Sequence, residues 1–321
     1  MLSMRTTIFI VLLSLVAVAQ TATEETATFK SGVSNVRVDV QVTNGKDLVT
    51  DLTQGDFIVH DNGQPQEIVY FGRESEPLAL LLLLDVSGSM KKYLEQMAAT
   101  AQQALRYLKV GDRVGIMLFS RDTKVREKFT GDLTEIAREI GDAVWDEDLG
   151  SGTSINTSIL SAVAFMDEYH MEKQKHGTEG MNDRHAILIV TDNLGLNYQA
   201  SDEKVVRALY NGDIVMNAIV VGKARRPESD RSARYTNPDF TIADVFKIAE
   251  QTGGEAVKAE QAGRAFSEMM ERIRTRYGLH YKPPEARSGT FRRIRVDLTP
   301  EARTRYPNAF IRHRSGYYAQ E

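Results

Sequence analysis

Three oxygen-bearing side chains stand at alternate positions in the segment Asp85-Val86-Ser87-Gly88-Ser89. One carboxylate and two hydroxyls spaced in this way on a tight turn can converge on a single point. They are hard oxygen donors, the kind that Mg2+ takes. Other chemistries are excluded by what is missing. The chain has no cysteine, which removes thiolate metal sites, disulfides and a cysteine nucleophile. Its six histidines form no ligand spacing, and no H-E-x-x-H occurs. Gly150 and Gly152 are not followed by the Gly-Lys-Ser/Thr of a phosphate loop, and there is no G-x-S-x-G nucleophile turn.

The elements that must hold this turn can be read on either side of it. Leu80 to Leu84 is an unbroken leucine run, which suits a strand buried on both faces of a parallel sheet. After Met90, Leu94, Met97, Ala101, Leu105 and Leu108 recur at helical spacing. The order is strand, oxygen-rich turn, helix, and open α/β sheets bind ligands beyond the carboxyl ends of their strands. Further buried strands are expected at 114–119, 186–191 and 214–221, with a short strand at 123–129. Helices are expected over 133–144, from Ile155 to Met166, around 246–249 and over 265–274. Strands and helices alternating at these lengths predict an α/β fold with a doubly wound, mostly parallel sheet over 78–275.

In this context the segment resembles the metal-ion-dependent adhesion site of a von Willebrand factor type A domain, whose pattern is D-x-S-x-S, a later Thr and a later Asp. Asp85, Ser87 and Ser89 match the first part, Thr153 in Leu149-Gly-Ser-Gly-Thr153 the second, and Asp192 after Ala186–Thr191 the third. The resemblance implies that Ser87 and Ser89 bind the ion directly. It also implies that Thr153 binds directly or through water, and that Asp85 and Asp192 act mainly through bound waters. The implied cofactor is Mg2+, with Mn2+ or Ca2+ as alternatives, and the implied partner is a protein that offers an Asp or Glu carboxylate to an open position. Directly bound groups that are neutral leave the ion its positive charge for that carboxylate. Two departures stand out: Asn193 where the family often has Gly, and Lys91 and Lys92 after the motif. An adjacent second ion would want acids there, so one ion is expected. The function expected is non-catalytic, metal-dependent protein binding. The competing readings are a structural or assembly protein with a vestigial site and a metal-assisted hydrolase. Against the hydrolase, no nucleophile or general base stands beside the motif.

The flanks of the chain read differently. Val36, Val38, Val40 and Val42 alternate with Arg37, Asp39 and Gln41, the pattern of a half-buried strand, and Asn44-Gly45 and Asn62-Gly63 are hairpin signals. Alternation returns after Tyr277, with strands through 277–281 and 294–298 and a last one within 310–318. Each set is too small for an independent sheet. The segments 28–76 and 276–319 are therefore expected to pair as one small β-sandwich, with the α/β domain inserted between them. Residues 1–19 have the form of a secretory signal: Arg5, an apolar run from Ile8 to Ala19, and the small-x-small triplet Ala17-Val18-Ala19. Export to a periplasm or cell exterior is expected, with no stable membrane span after cleavage. The net charge of -4 gives no global argument for nucleic acid. Arg225, Arg226, Arg231 and Arg234, in a polar loop after 214–221, are candidate contacts to an acidic partner. Arg287, Arg292, Arg293, Arg295, Arg312 and Arg314 read as a mainly solvated basic segment, with a polyanion surface as the alternative. Asp146, Glu147 and Asp148 are expected on the solvated rim, and Trp145, the one tryptophan, is expected to pack at a helix end.

Overall fold

The computed structural model describes residues 35–73, 76–146, 149–150, 152–175, 183–195, 200–222 and 243–320. The expected signal segment lies outside them. The first strands are β1 (Val36–Asn44), β2 (Asp47–Leu48), β3 (Phe57–Asp61), β4 (Gln64–Gln66) and β5 (Ile68–Arg73). The α/β part follows with β6 (Leu78–Asp85), α1 (Lys91–Ala104), β7 (Arg113–Phe119), β8 (Thr123–Thr130), α2 (Leu133–Ala143) and α3 (Ile155–Lys175). It continues with β9 (Arg184–Thr191), α4 (Asp202–Asn211), β10 (Ile214–Val221), α5 (Val245–Thr252), β11 (Ala256–Ala259) and α6 (Ala262–Arg274). The chain closes with β12 (Tyr277–Tyr281), β13 (Phe291–Leu298), α7 (Pro300–Arg305), β14 (Ala309–Arg312) and β15 (Gly316–Tyr318).

The leucine run becomes β6, near the centre of a six-stranded sheet in the order β11-β10-β9-β6-β7-β8. All neighbours in it are parallel except β7 and β8. Alternation along β6 divides its side chains between two cores. Leu80, Leu82 and Leu84 pack with Leu94 and Met97 of α1, Ile136 and Ile140 of α2, and Phe266 and Met270 of α6. Leu81 and Leu83 pack with Ile155 and Ile159 of α3, Val205 and Leu209 of α4, and Val245 and Ile248 of α5. Helices on both faces explain why this strand needs no polar position before Asp85. Among the described residues, no helix is long and apolar enough to cross a membrane.

The two ends of the chain do pair. One sheet runs β14-β1-β12-β5, with β2 on β1; the other runs β15-β13-β3-β4. Val38 lies opposite Leu279, and Val59 opposite Val296, so each sheet interleaves strands from before and after the α/β part. Between the sheets lie Val38, Val40, Leu52, Phe57, Leu279, Tyr281 and Leu298. Asp61 is fully buried here. It accepts hydrogen bonds from Tyr281 (2.9 Å), Tyr317 (2.8 Å) and Arg292 (2.7 Å), which ties β3 to β12, β15 and β13.

Four expectations fail. The polar face of β1 is buried, because the α/β part packs on it. Arg37 donates to Glu76 (2.6 Å) and to the Asp183 carbonyl (2.7 Å), and Arg184 of β9 pairs with Asp39 at 3.3 Å. Arg184 also donates to the carbonyls of Ile273 and Arg274 at the end of α6, and Arg276 to the Gly253 carbonyl. Second, the last strand is two strands in different sheets, preceded by the unexpected α7, which starts at the Thr299 cap with Pro300 in its first turn. Third, the Asp146 side chain is mostly buried and pairs with Lys124 (3.1 Å) and Arg126 (3.3 Å) rather than lying free in solvent, while Glu147 and Asp148 lie outside the described residues. Fourth, Trp145 does not pack at a helix end: it is 67% exposed, with the Lys91 ammonium 4.1 Å from its ring centroid.

Candidate metal centre

Asp85 is the last residue of β6 and has no exposed surface. Two donors hold its carboxylate. The Ser87 backbone N–H reaches Oδ1 at 2.9 Å, which closes the turn, and the Thr191 hydroxyl reaches Oδ2 at 2.7 Å from the end of the neighbouring β9. The Ser87 and Ser89 hydroxyls lie 3.4 Å apart, and Ser89 donates to Asp192 Oδ2 at 2.6 Å. Asp85, Ser87, Ser89 and Asp192 thus form one connected oxygen cluster at the carboxyl ends of β6 and β9. The parallel register sets this up: Leu84 pairs with Val190, so Asp85 comes level with Thr191, and Asp192 follows one residue on.

Thr153 enters from a third element. It is half-buried just before α3, in a loop tied to the end of β7. Ser154 N donates to the Ser120 carbonyl at 2.8 Å, and the Ser120 hydroxyl donates to the carbonyls of Leu149 (2.7 Å) and Gly150 (2.9 Å). The Thr153 carbonyl lies against Gly195, where a Cβ would come within 2.7 Å of it. Thr153 therefore reaches the turn after Asp192 through backbone packing, outside the hydrogen-bonded cluster. Gly222, at the end of β10, packs close to Asp192 and Tyr93. Arg225, Arg226, Arg231 and Arg234 follow it and lie outside the described residues.

Thr191 is the contact that sequence reading missed. A hydroxyl closing an apolar strand immediately before Asp192 was the available signal. The departure at Asn193 also has a physical reason. Its φ is +55°, a left-handed backbone that Gly adopts freely and Asn tolerates better than other side chains. Asn193 N donates to Thr191 Oγ1 (3.1 Å) and Leu194 N to Asp192 Oδ1 (3.1 Å), so this turn fixes both oxygen groups.

The donor set fits a divalent cation. Burial pushes the Asp85 carboxyl up to about 6, against the lowering effect of its bonds from Ser87 and Thr191. No cationic side chain is among its hydrogen-bond partners in the described residues. The nearest lysines in sequence are turned to aromatic rings, Lys91 over Trp145 and Lys92 over Tyr93 (4.6 Å). A buried carboxylate beside a second carboxylate and two hydroxyls, with no ammonium or guanidinium hydrogen-bonded to it among the described residues, is a group that a hard cation stabilises.

Residues 80–195 match the sequence profile of the von Willebrand factor type A domain. Over these residues the chain is similar to a von Willebrand factor type A domain. The matched stretch runs from the leucines of β6 to Gly195 and contains Asp85, Ser87, Ser89, Thr153 and Asp192. Solved structures share the likeness at low identity. A von Willebrand factor type A protein from Catenulispora acidiphila is 10% identical, with 84% of this chain and 71% of that one covered and a TM-score of 0.46. The conserved hypothetical protein BatB from Bacteroides thetaiotaomicron is 17% identical, with 61% and 97% covered and a TM-score of 0.43. Proximal thread matrix protein 1 from the mussel byssus, solved with zinc in its adhesion-site motif, is 15% identical, with 63% and 49% covered and a TM-score of 0.43. No curated protein matches the sequence.

Proposed function

We propose that this chain is an exported, non-catalytic protein-binding module that takes a carboxylate of its partner at a divalent cation, with Mg2+ the physiological ion. The observation that carries the reading is the oxygen cluster itself. A fully buried Asp85 is clamped from two strands, with Ser87, Ser89 and Asp192 joined to it at the ligand-binding end of the sheet. Ser87, Ser89 and Thr153 would hold the ion through neutral oxygens, and Asp85 and Asp192 would support it from behind. A cation so held supplies an electropositive position for an incoming Asp or Glu. The signal-like residues 1–19 support export.

Thermal unfolding in EDTA, Mg2+, Mn2+ and Ca2+ tests this reading on wild type and Asp85→Ala. A ligand that binds only the folded state adds about 2.7 kcal/mol at a hundredfold excess over its Kd. The wild-type midpoint should rise with metal and the variant's should not. Equal midpoints for wild type in EDTA and saturating Mg2+ would sink the metal reading. Affinity capture from an extracellular fraction, with and without Mg2+, then tests for the carboxylate-bearing partner.

A further inference from the structure

The arginine-rich C-terminal segment divides into two groups in the folded protein. Arg292 is spent on Asp61, Arg312 approaches Glu255 at 3.6 Å, and Arg314 pairs with Asp213 at 2.6 Å. These three hold the sandwich together or fasten it to the α/β part. Arg293 and Arg295 do neither. They alternate with inward-facing Ile294 and Val296 on β13, so both stand on the outer face of the second sheet. Two residues of extended strand separate them, which places their Cα atoms roughly 7 Å apart. His60 of β3 lies directly opposite Arg295.

These residues line a groove of about 670 Å3. Its floor is Arg293, Arg295 and His60; its walls are the Asn62-Gly63 turn and the segment from His313 to Ser315. Among the described residues, no carboxylate lines it. The walls are built firmly. Asn62 Oδ1 accepts from Arg293 N at 2.8 Å, and Asn62 N donates to the Arg293 carbonyl at 2.8 Å. His313 uses both ring nitrogens. Nδ1 lies 2.8 Å from the Arg314 carbonyl and Nε2 accepts from Val296 N at 3.2 Å, which makes His313 a neutral wall and not a charged contact. The Arg293 guanidinium has no ion-pair partner among the described residues. Arg295 is 3.1 Å from Asp297, but that carboxylate is shared with Arg303 at 2.5 Å.

We propose that this groove binds a linear phosphate-class oligo-anion, with one negative group on Arg293 and the next on Arg295. Guanidinium forks match tetrahedral oxyanions through paired hydrogen bonds. The size suits a small charged ligand. The spacing of the two arginines selects a chain of charges over a lone ion. Such a run of charges is offered by a soluble chain or by neighbouring headgroups on an anionic lipid surface. The site is on the sandwich and independent of the metal centre.

The test is calorimetric titration at low salt with tripolyphosphate, orthophosphate and hexa-aspartate, together with sedimentation on phosphatidylglycerol and phosphatidylcholine vesicles. The proteins are wild type, Arg293→Ala, Arg295→Ala and the double variant, each first shown by melting to be folded. Both arginines lie on the solvent side of the sheet, so their truncation should leave the melting midpoint close to that of wild type. Tripolyphosphate should bind saturably and at least about tenfold more tightly than orthophosphate. Each single variant should lose about tenfold, and EDTA should change nothing. Vesicle binding that needs phosphatidylglycerol and both arginines would assign the charges to a headgroup; tripolyphosphate binding without it would assign them to a soluble chain. The proposal falls if wild type shows no saturable binding, if the double variant binds as wild type does, or if hexa-aspartate competes equally well.

Discussion

Asn193 shows how a single position answers to backbone geometry before chemistry. Its φ of +55° admits Gly and Asn and penalises a β-branched side chain. Asn193→Gly should keep metal-dependent stabilisation intact. Asn193→Val should lower stability by about 1–2 kcal/mol and weaken the metal response, because the turn that positions Thr191 and Asp192 shifts; denaturant titration with and without Mg2+ measures both. Asp61 makes the opposite case, where chemistry dominates. One buried carboxylate serves Tyr281, Tyr317 and Arg292, so Asp61→Ala leaves a guanidinium and two hydroxyls without their acceptor. The expected loss is about 3–5 kcal/mol in urea unfolding, and a loss below about 1 kcal/mol would show that solvent reaches the site. Asp85, Ser87 and Ser89 were legible from their spacing as an oxygen-rich turn, and as a candidate metal site only together with Thr153 and Asp192. Asp61 was not, and Thr191 was visible only as a hydroxyl closing the strand before Asp192: what each of them holds is decided when partners far away in the chain fold against it.

At the scale of elements, β6 was legible and β1 was half legible. Five leucines in sequence require apolar cover on both faces, and helices on both sides provide it. In β1 the alternation correctly separates two faces, but only packing decides what covers the polar one. That face meets β9, the end of α6 and the segment after it, where Asp39 is surrounded by arginines. Burial alone would raise the Asp39 carboxyl. The charges of Arg37, Arg184, Arg276 and Arg314 outweigh it and hold the group at about 2, below its ordinary value of 3.8. A carboxyl held low in the folded state stabilises it above the unfolded value and loses that contribution as pH falls through the folded one. The stability advantage of wild type over Asp39→Asn should therefore be constant above about pH 4. It should shrink by about 2 kcal/mol as pH falls through about 2, read from urea unfolding across that range. A second element-level test is Gly254→Ala, at the crossing from α5 to β11. A Cβ there would lie 1.8 Å from the Met216 carbonyl of β10. The strands must part, and a cost of about 3 kcal/mol is expected in the same assay.

For the whole molecule, the interleaved sandwich and the buried polar junction make the two parts interdependent. β12 leaves α6 after two residues and sits between β1 and β5, so the α/β part cannot unfold without stress on both sandwich sheets. Scanning calorimetry of the chain should show one cooperative transition that moves as a unit with metal; two separated transitions, only one of them metal-sensitive, would refute the coupling. The sequence by itself determined the α/β class, the strand that ends in Asp85, the oxygen turn after it and the β character of both ends. Each of these rests on local periodicity or on spacing within one turn. Tertiary structure alone decided that the two ends share sheets and that the polar face of β1 is interior. It also decided that Thr191 braces Asp85, which arginines tie the sandwich together or to the α/β part, and which stand on the outer face of β13. Those outcomes depend on contacts between residues tens to hundreds of positions apart, and alternation along a strand specifies which side chains share a face without specifying what that face meets.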